Sequence, residues 1–155
     1  MERRIVKAEA KYLEDCAQML HDSKLGSVYY KSIKTAFREV KNALKEDKLY
    51  IMLQGGECVA FMIMDPRGIF NTYPYLHILA IRPDKRGQGI GTEMISWFEK
   101  CTAYKRTKCF FTVDDFNPEA RRLYERLGYT CVGTLPGLYK KTADCYLMMK
   151  TVVRE

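Results

Sequence analysis

With 155 residues, 47% apolar and 29% charged, the chain has globular composition and length for one substantial core, but not for two domains of ordinary size. Its formal net charge of +7 suits an anionic partner such as nucleic acid, an anionic lipid surface or a phosphorylated cofactor; the cations alternate with acids along the chain, so charge alone does not choose. The start, Met1-Glu2-Arg3-Arg4-Ile5-Val6-Lys7, lacks the apolar core of a secretory signal and no apolar run reaches bilayer length, so a cytoplasmic protein without a membrane segment is expected.

Leu13, Cys16, Ala17 and Leu20 recur at helical spacing, as do Ile33, Ala36, Phe37, Val40 and Leu44, which predicts two amphipathic helices in the first third. Leu49 to Gln54 and Cys58 to Met64 are apolar runs closed by Gly55-Gly56 and by Asp65-Pro66-Arg67-Gly68, the pattern of a hairpin. Tyr73 to Ile81 reads as a third strand, apolar enough to be buried on both faces. A glycine-rich loop after Pro83 opens a helix that keeps apolar spacing through Ile90, Met94, Trp97, Phe98 and Cys101 to about Ala103, and Lys108 to Val113 forms the next strand. Asn117-Pro118 supplies an N-cap and a first-turn proline and Gly128 a left-handed stop, so a short helix spans about Pro118 to Leu127. Tyr129 to Leu135 and Asp144 to Val152 are closing strands separated by a loop around Pro136-Gly137. The order is helix, helix, three strands, helix, strand, helix, two strands, without repeat or linker, which describes one α/β domain over residues 1–155. The six cysteines, Cys16, Cys58, Cys101, Cys109, Cys131 and Cys145, form no CxxC pair and have no His cluster nearby; they read as reduced core residues, and no metal is expected.

A helix start leaves its first N–H groups unpaired and carries partial positive charge, so it binds phosphate where glycines let the backbone approach. Gly87, Gly89 and Gly91 supply that access and Arg86 adds a cation, although a ligand-free turn would read the same way. Two rival phosphate motifs fail on spelling. The dinucleotide fingerprint needs a glycine where Thr92 stands, and the P-loop needs Gly-Lys-Ser/Thr where Gly-Ile-Gly-Thr is found.

The segment Leu79-Ala80-Ile81-Arg82-Pro83-Asp84-Lys85-Arg86-Gly87-Gln88-Gly89-Ile90-Gly91 resembles the acetyl-CoA signature of the GNAT superfamily of N-acetyltransferases, Arg/Gln-x-x-Gly-x-Gly/Ala, with Arg86, Gly89 and Gly91 on its fixed positions. About 30 residues on, Asn117-Pro118-Glu119-Ala120-Arg121-Arg122-Leu123-Tyr124-Glu125-Arg126-Leu127-Gly128-Tyr129 is similar to the family's second motif, Asn-x-x-Ala followed by Tyr and Gly-Phe/Tyr. The resemblance implies a mixed, mostly antiparallel twisted sheet flanked by about four helices, with splayed central strands binding acetyl-CoA. It implies coenzyme contacts at Leu79, Ala80, Ile81, Arg86, Gly87, Gln88, Gly89, Ile90, Gly91, Asn117 and Tyr124, those of Leu79 to Ile81 through the backbone. It implies acetyl transfer to a primary amine without a covalent intermediate, in a family that often dimerises, which leaves a homodimer open.

Tyr124 matches the tyrosine usually assigned as general acid; a phenol's ordinary pKa of about 10 suits protonation of a departing thiolate, while Ala120, Leu123, Tyr124 and Leu127 also form an apolar stripe that would pack its ring. Asn117 is both an N-cap and a match to a coenzyme-binding asparagine. Some members carry a glutamate base five residues before that asparagine, where this chain has Thr112. His77 could accept the proton directly or through water or be a satisfied core histidine, and Asp114, Asp115 or a water chain are alternatives. Acceptor contacts fall to segments the motifs do not fix: His21 to Tyr30, Arg67 to Tyr73, and Leu135 to Tyr139. Two other classes stay open, a non-catalytic acyl-CoA sensor and a basic nucleic-acid-binding module; no aromatic-basic RNA motif supports the second, so no nucleic-acid partner is expected.

Overall fold

A strand that hydrophobic patterning misses opens the chain. In the computed structural model, which describes residues 1–101 and 106–153, Arg3–Lys7 form β1 and pair antiparallel with β2 (Leu49–Gln54), Arg3 opposite Gln54 and Lys7 opposite Tyr50. As the first strand in the sheet order, β1 is an edge; cations suit an edge because they discourage further pairing, and the same cations hide the strand from an apolarity reading.

The two predicted helices are α1 (Leu13–His21) and α3 (Ile33–Lys45), with a one-turn α2 (Lys24–Val28) between them that is too short to show a period. Ser23 caps α2 by accepting from the Gly26 N–H (3.2 Å), and Ser32 caps α3 by accepting from the Thr35 N–H (3.2 Å). Cys16, Ala17 and Leu20 of α1 and Ala36, Val40 and Ala43 of α3 are buried in one cluster with Ile51 of β2. Gly26 admits no larger residue cheaply: a Cβ there would lie 2.1 Å from the His21 carbonyl oxygen and 2.3 Å from that of Leu20.

The hairpin β2–β3 turns at Gly55 and Gly56, both left-handed (φ 60° and 80°), as its Gly-Gly spelling requires. Asp65-Pro66-Arg67-Gly68 does not close the second strand, however: β3 runs from Glu57 to Ile69. Leu49 pairs with Ile63 at the start of β2, so that flank of the ladder has ended before Pro66, and the missing proline N–H forfeits no bond there. The turn lies at Phe70 and Asn71, both left-handed at φ 53°, and is fixed by Arg67 Nε donating to the Asn71 carbonyl (3.1 Å) and Thr72 N–H to the Ile69 carbonyl (3.0 Å).

β4 occupies Tyr73–Ile81 as predicted, but it is not buried on both faces. Pro74, Leu76, Ile78 and Ala80 are buried, while Tyr73, Tyr75, His77, Leu79 and Ile81 alternate with them and are half-buried. α4 spans Ile90–Lys100; its predicted end at Ala103 lies outside the described residues. β5 (Arg106–Asp114) and α5 (Pro118–Arg126) follow, with Gly128 left-handed at φ 97°. β6 (Thr130–Lys140) continues through Pro136-Gly137 instead of ending at Leu135, because an irregularity between Leu135 and Lys140 absorbs the proline, and the chain turns at Lys141-Thr142 into β7 (Ala143–Val153).

The strands form one mostly antiparallel seven-stranded sheet in the order β1-β2-β3-β4-β5-β7-β6, an α/β fold with five α-helices among the described residues. β4 and β5 run parallel, and the described ladder between them consists of two rungs, Tyr75–Phe110 and Leu76–Phe111. Two compact units are resolved: Met1–Met64 with Ile78–Phe98, whose core is the α1–α3 cluster, and Asp65–His77 with Glu99–Glu155, whose core includes Phe110, Phe111, Val113, Tyr129 and Met148. Among the described residues no helix is long and apolar enough to cross a membrane.

Gly26→Ala forces α2 away from the end of α1 and should cost about 2 kcal/mol, read as a fall of about 4–8 °C in the melting temperature followed by circular dichroism.

Candidate active site

In the first unit, the segment after β4 is stiffened before it reaches the glycines. Arg82 N–H donates to the Val59 carbonyl (2.9 Å), its Nε donates to Asp84 Oδ1 (2.6 Å) and Nη2 to Asp84 Oδ2 (3.1 Å), fixing a single 3₁₀ turn over Pro83–Lys85. Gly87 and Gly89 then take left-handed conformations, φ 77° and 78°, with open space where a Cβ would stand. Their first role is therefore conformational, because any L side chain at those φ values is strained. Arg86 to Gly89 are exposed, while Ile90 and Gly91 are buried in the first turn of α4. The result is an exposed loop with a cation beside it, ending on a helix start, a setting that favours phosphate.

Arg3 joins this loop from the far end of the unit's sequence. From β1 it donates to the Gln88 carbonyl (3.1 Å) through Nη2 and pairs through Nη1 with Glu93 in the first turn of α4. It holds the loop between the two glycines. No local spelling announces that role, since it comes from a strand whose partners lie far along the chain. Of the predicted strand residues, Ala80 faces the core and Leu79 and Ile81 lie on the half-buried face.

In the second unit, Asn117 caps α5 with its side-chain oxygen accepting from the Ala120 N–H (3.4 Å), as its spelling suggested. About two turns on, the half-buried Tyr124 ring packs on Phe111 at 4.2 Å, and Phe111 meets Tyr129 at 4.1 Å. Desolvation of the Tyr124 hydroxyl, with the charge of Asp114, pushes its pKa up to about 12. Tyr129 donates to Glu99 Oε2 (2.8 Å), which Lys150 also grips (3.1 Å).

Thr112 bonds the Tyr75 hydroxyl (3.0 Å), to which Tyr139 is also bonded. Burial raises Tyr75 above the ordinary phenol range, an effect the bonds from Thr112 and Tyr139 oppose; burial and the neighbouring Tyr75 raise Tyr139 as well. The His77 ring lies 5.9 Å from that of Tyr75, so these two predicted and unpredicted residues share one patch. Of the other candidate bases, buried Asp114 accepts from Cys145 Sγ (3.2 Å), and exposed Asp115 accepts from the Asp144 N–H (3.1 Å).

Desolvation raises the thiols of Cys109 and Cys145 to about 12, which leaves both protonated and poor nucleophiles. Cys16 and Cys58 are buried as well, but Cys101 is half-buried and Cys131 is exposed on β6, so the expectation of core cysteines fails for those two. Among the described residues no group of three or more His, Cys, Asp or Glu side chains is placed to hold a metal ion. The three segments expected to contact an acceptor differ in exposure. His21 to Tyr30 closes on itself through His21 Nδ1 and the Tyr30 carbonyl (3.0 Å), Arg67 to Tyr73 lifts Phe70 to 85% exposure, and Leu138 and Tyr139 stand out from β6.

Comparison with known proteins bears on both motifs. The model of the acetyltransferase (GNAT) family matches residues 13–129. A curated acetyltransferase of Agrobacterium fabrum is 38% identical over 61 residues, 39% of this chain and 44% of that protein, so the match spans less than half the relative's length. A GNAT-family acetyltransferase structure from Bacillus cereus superposes with a TM-score of 0.79 at 15% identity, covering 99% of this chain and 100% of that one. An aminoglycoside 6′-N-acetyltransferase in complex with coenzyme A gives 0.74 at 18%, covering 100% and 99%.

Arg3→Met removes the donor to Gln88 while keeping most of the stem, and amide hydrogen exchange across Gly87 to Gly91 should accelerate by about tenfold with the rest of α4 unchanged.

Proposed function

The chain belongs to the acetyltransferase (GNAT) family, and on that premise we propose that it transfers acetyl from acetyl-CoA directly to a primary amine, with residues 1–155 acting as one catalytic domain. The observation that carries this reading is the loop Arg86 to Gly91, exposed as far as Gly89, whose two left-handed glycines flank the Gln88 carbonyl that Arg3 holds at the start of α4. Backbone N–H groups there suit a pyrophosphate, and Arg86 counters its charge. Leu79, Ala80 and Ile81 would bond the pantetheine arm and thioester oxygen through the backbone. The two-rung parallel ladder beside β4 fits the divergence of central strands that the family resemblance implies, and the coenzyme A complex of the aminoglycoside enzyme supports the identity of the donor.

Direct transfer asks for a bound thioester, an uncharged amine and a donor for the departing sulfur. Tyr124 fits the last role as general acid. With its pKa at about 12 it keeps its proton throughout the neutral range, so an O–H is always present to meet charge developing on sulfur. Asn117 spends its side-chain oxygen on the helix cap, which leaves the amide nitrogen as the group suited to a coenzyme contact. The raised thiols of Cys109 and Cys145 favour transfer without an acyl-cysteine intermediate.

Calorimetry should detect coenzyme A binding at about micromolar affinity, and Gly89→Ala, which forces a side chain onto a left-handed residue, should weaken it by about tenfold; absence of binding would overturn the reading.

Tyr124→Phe should lower kcat by about a hundredfold while coenzyme A affinity stays within twofold. Because the folded pKa lies above the ordinary value, Tyr124 stays neutral up to about 12 and its contribution is lost only above the ordinary phenol range, so the wild-type rate should not fall through pH 10 on its account. Full turnover in Tyr124→Phe would remove it from the chemistry.

A further inference from the structure

Along the chain the cations of α3 alternate with acids and apolar residues, but the helix sorts them. At 3.6 residues per turn, Lys34, Arg38, Lys41 and Lys45 fall within about 60° of one another, in a single row about 16 Å long. All four are exposed. No acid stands three or four positions from any of them, so along the helix each meets only neutral or like-charged neighbours. Of the nearby acids, Glu46 pairs with Lys48 (3.3 Å) and Asp47 with Lys7 (2.7 Å), while Glu39 lies about 100° round the helix from Arg38. The row works against its own helix: like charges three and four apart repel, and Lys34 stands in a first turn that is positive by its dipole and holds no acid. It is also separate from the glycine loop. Leu49 and Ile51 of β2 belong to the α1–α3 cluster, whereas Tyr50, on the alternate face, meets Trp97 of α4 with ring centroids 5.1 Å apart. Within the first unit α3 and α4 therefore cover opposite faces of β2, and a ligand lying on the row is on the far side from Arg86 to Gly91.

We propose that this row binds a nucleic-acid duplex along its phosphate backbone, without reading bases, at a second site independent of the acetyl donor. The chemistry of the row selects the partner. Protein interfaces are depleted in lysine and centre on apolar or aromatic anchors; the row holds none, and Phe37 and Leu44 beside it pack into the core. A helix that lies in a bilayer surface sinks an apolar face into it, and α3 has spent that face on the core through Ala36, Val40 and Ala43. The mobile charges of an anionic bilayer also reward cations in any layout, so a narrow line gains nothing there. Single strands are held on aromatic rings that stack their bases, and no ring stands in the row. A duplex keeps its bases stacked inside and offers phosphates in a line, the one anion whose charges are arranged as these cations are. The expectation of no nucleic-acid partner is thereby reversed, because it rested on charges that look dispersed along the chain and that the helical period gathers.

The test uses the full chain and two short blunt duplexes, one of RNA and one of DNA, with binding read by fluorescence anisotropy. Between about 50 and about 200 mM salt the affinity should fall roughly a hundredfold, a log–log slope of about 3.6 for four neutralised phosphates; whichever duplex binds more tightly names the source of the phosphates. Arg38→Gln with Lys41→Gln should take about 1.8 from that slope, and adding Lys34→Gln and Lys45→Gln should bring it close to zero. Because these changes relieve repulsion within α3, the melting temperature should not fall, which separates lost binding from lost folding. Lys11→Gln with Lys141→Gln removes two exposed cations elsewhere and should leave the slope as it was. Saturating coenzyme A should leave duplex affinity unchanged. No binding at the lower salt, an equal loss of slope from Lys11→Gln with Lys141→Gln, competition by coenzyme A, or equally tight binding to phosphatidylserine vesicles or to polyglutamate would each overturn the proposal. Failure to bind coenzyme A would overturn the proposed function and leave the duplex site standing.

Discussion

One-sided burial of β4 is the constraint from which the candidate site follows. Pro74, Leu76, Ile78 and Ala80 anchor the strand in apolar surroundings, and the two-residue period then sends Tyr73, Tyr75, His77, Leu79 and Ile81 to the other face, where none is fully covered. A shift of one residue would bury the tyrosines and the histidine and expose the anchors, so the hydrophobic set fixes which chemistry the strand displays. Within the first unit, Ile78 to Ile81 lead directly into the Arg82 turn, whose pairing with Asp84 precedes the glycine loop.

Groups around the second unit's tyrosines share a tendency to stay neutral. Tyr124, Tyr75, Tyr139, Cys109 and Cys145 are all pushed toward their protonated forms, with desolvation the leading cause each time and Asp114 adding to four of them. Such a place is poor for an anionic nucleophile and good for directed O–H groups, which stabilise developing charge without needing to ionise first.

What could be read from the sequence divides along physical lines. Gly55-Gly56, Gly87, Gly89, Asn117-Pro118 and Gly128 were legible because each answers a local demand on φ or an unpaired N–H, and the structure gives each the conformation its spelling implied. β1 was hidden because an edge strand rich in cations has no apolar pattern. Pro66 and Pro136 look like strand ends in the sequence, because the cost of a missing N–H depends on whether a neighbour needs it, which only the ladder reveals. Arg3 and the Tyr75–Thr112–Tyr139 chain lay beyond reach for a further reason: their partners are brought together by sheet order, with no fixed spacing along the chain to betray them.

The grip of Arg3 on Gln88 and Glu93 also has a kinetic side. Its partners lie 85 and 90 residues away, so the contact closes a long loop whose entropy must be met before the bond gives anything back. β1 precedes α4 in the chain, so Arg3 has neither Gln88 nor Glu93 to hold until both have been made. A chain interrupted before α4 could therefore pair β1 with β2 and still leave Arg3 without its two distant partners, so the strand and the glycine loop it holds are fixed by different parts of the sequence.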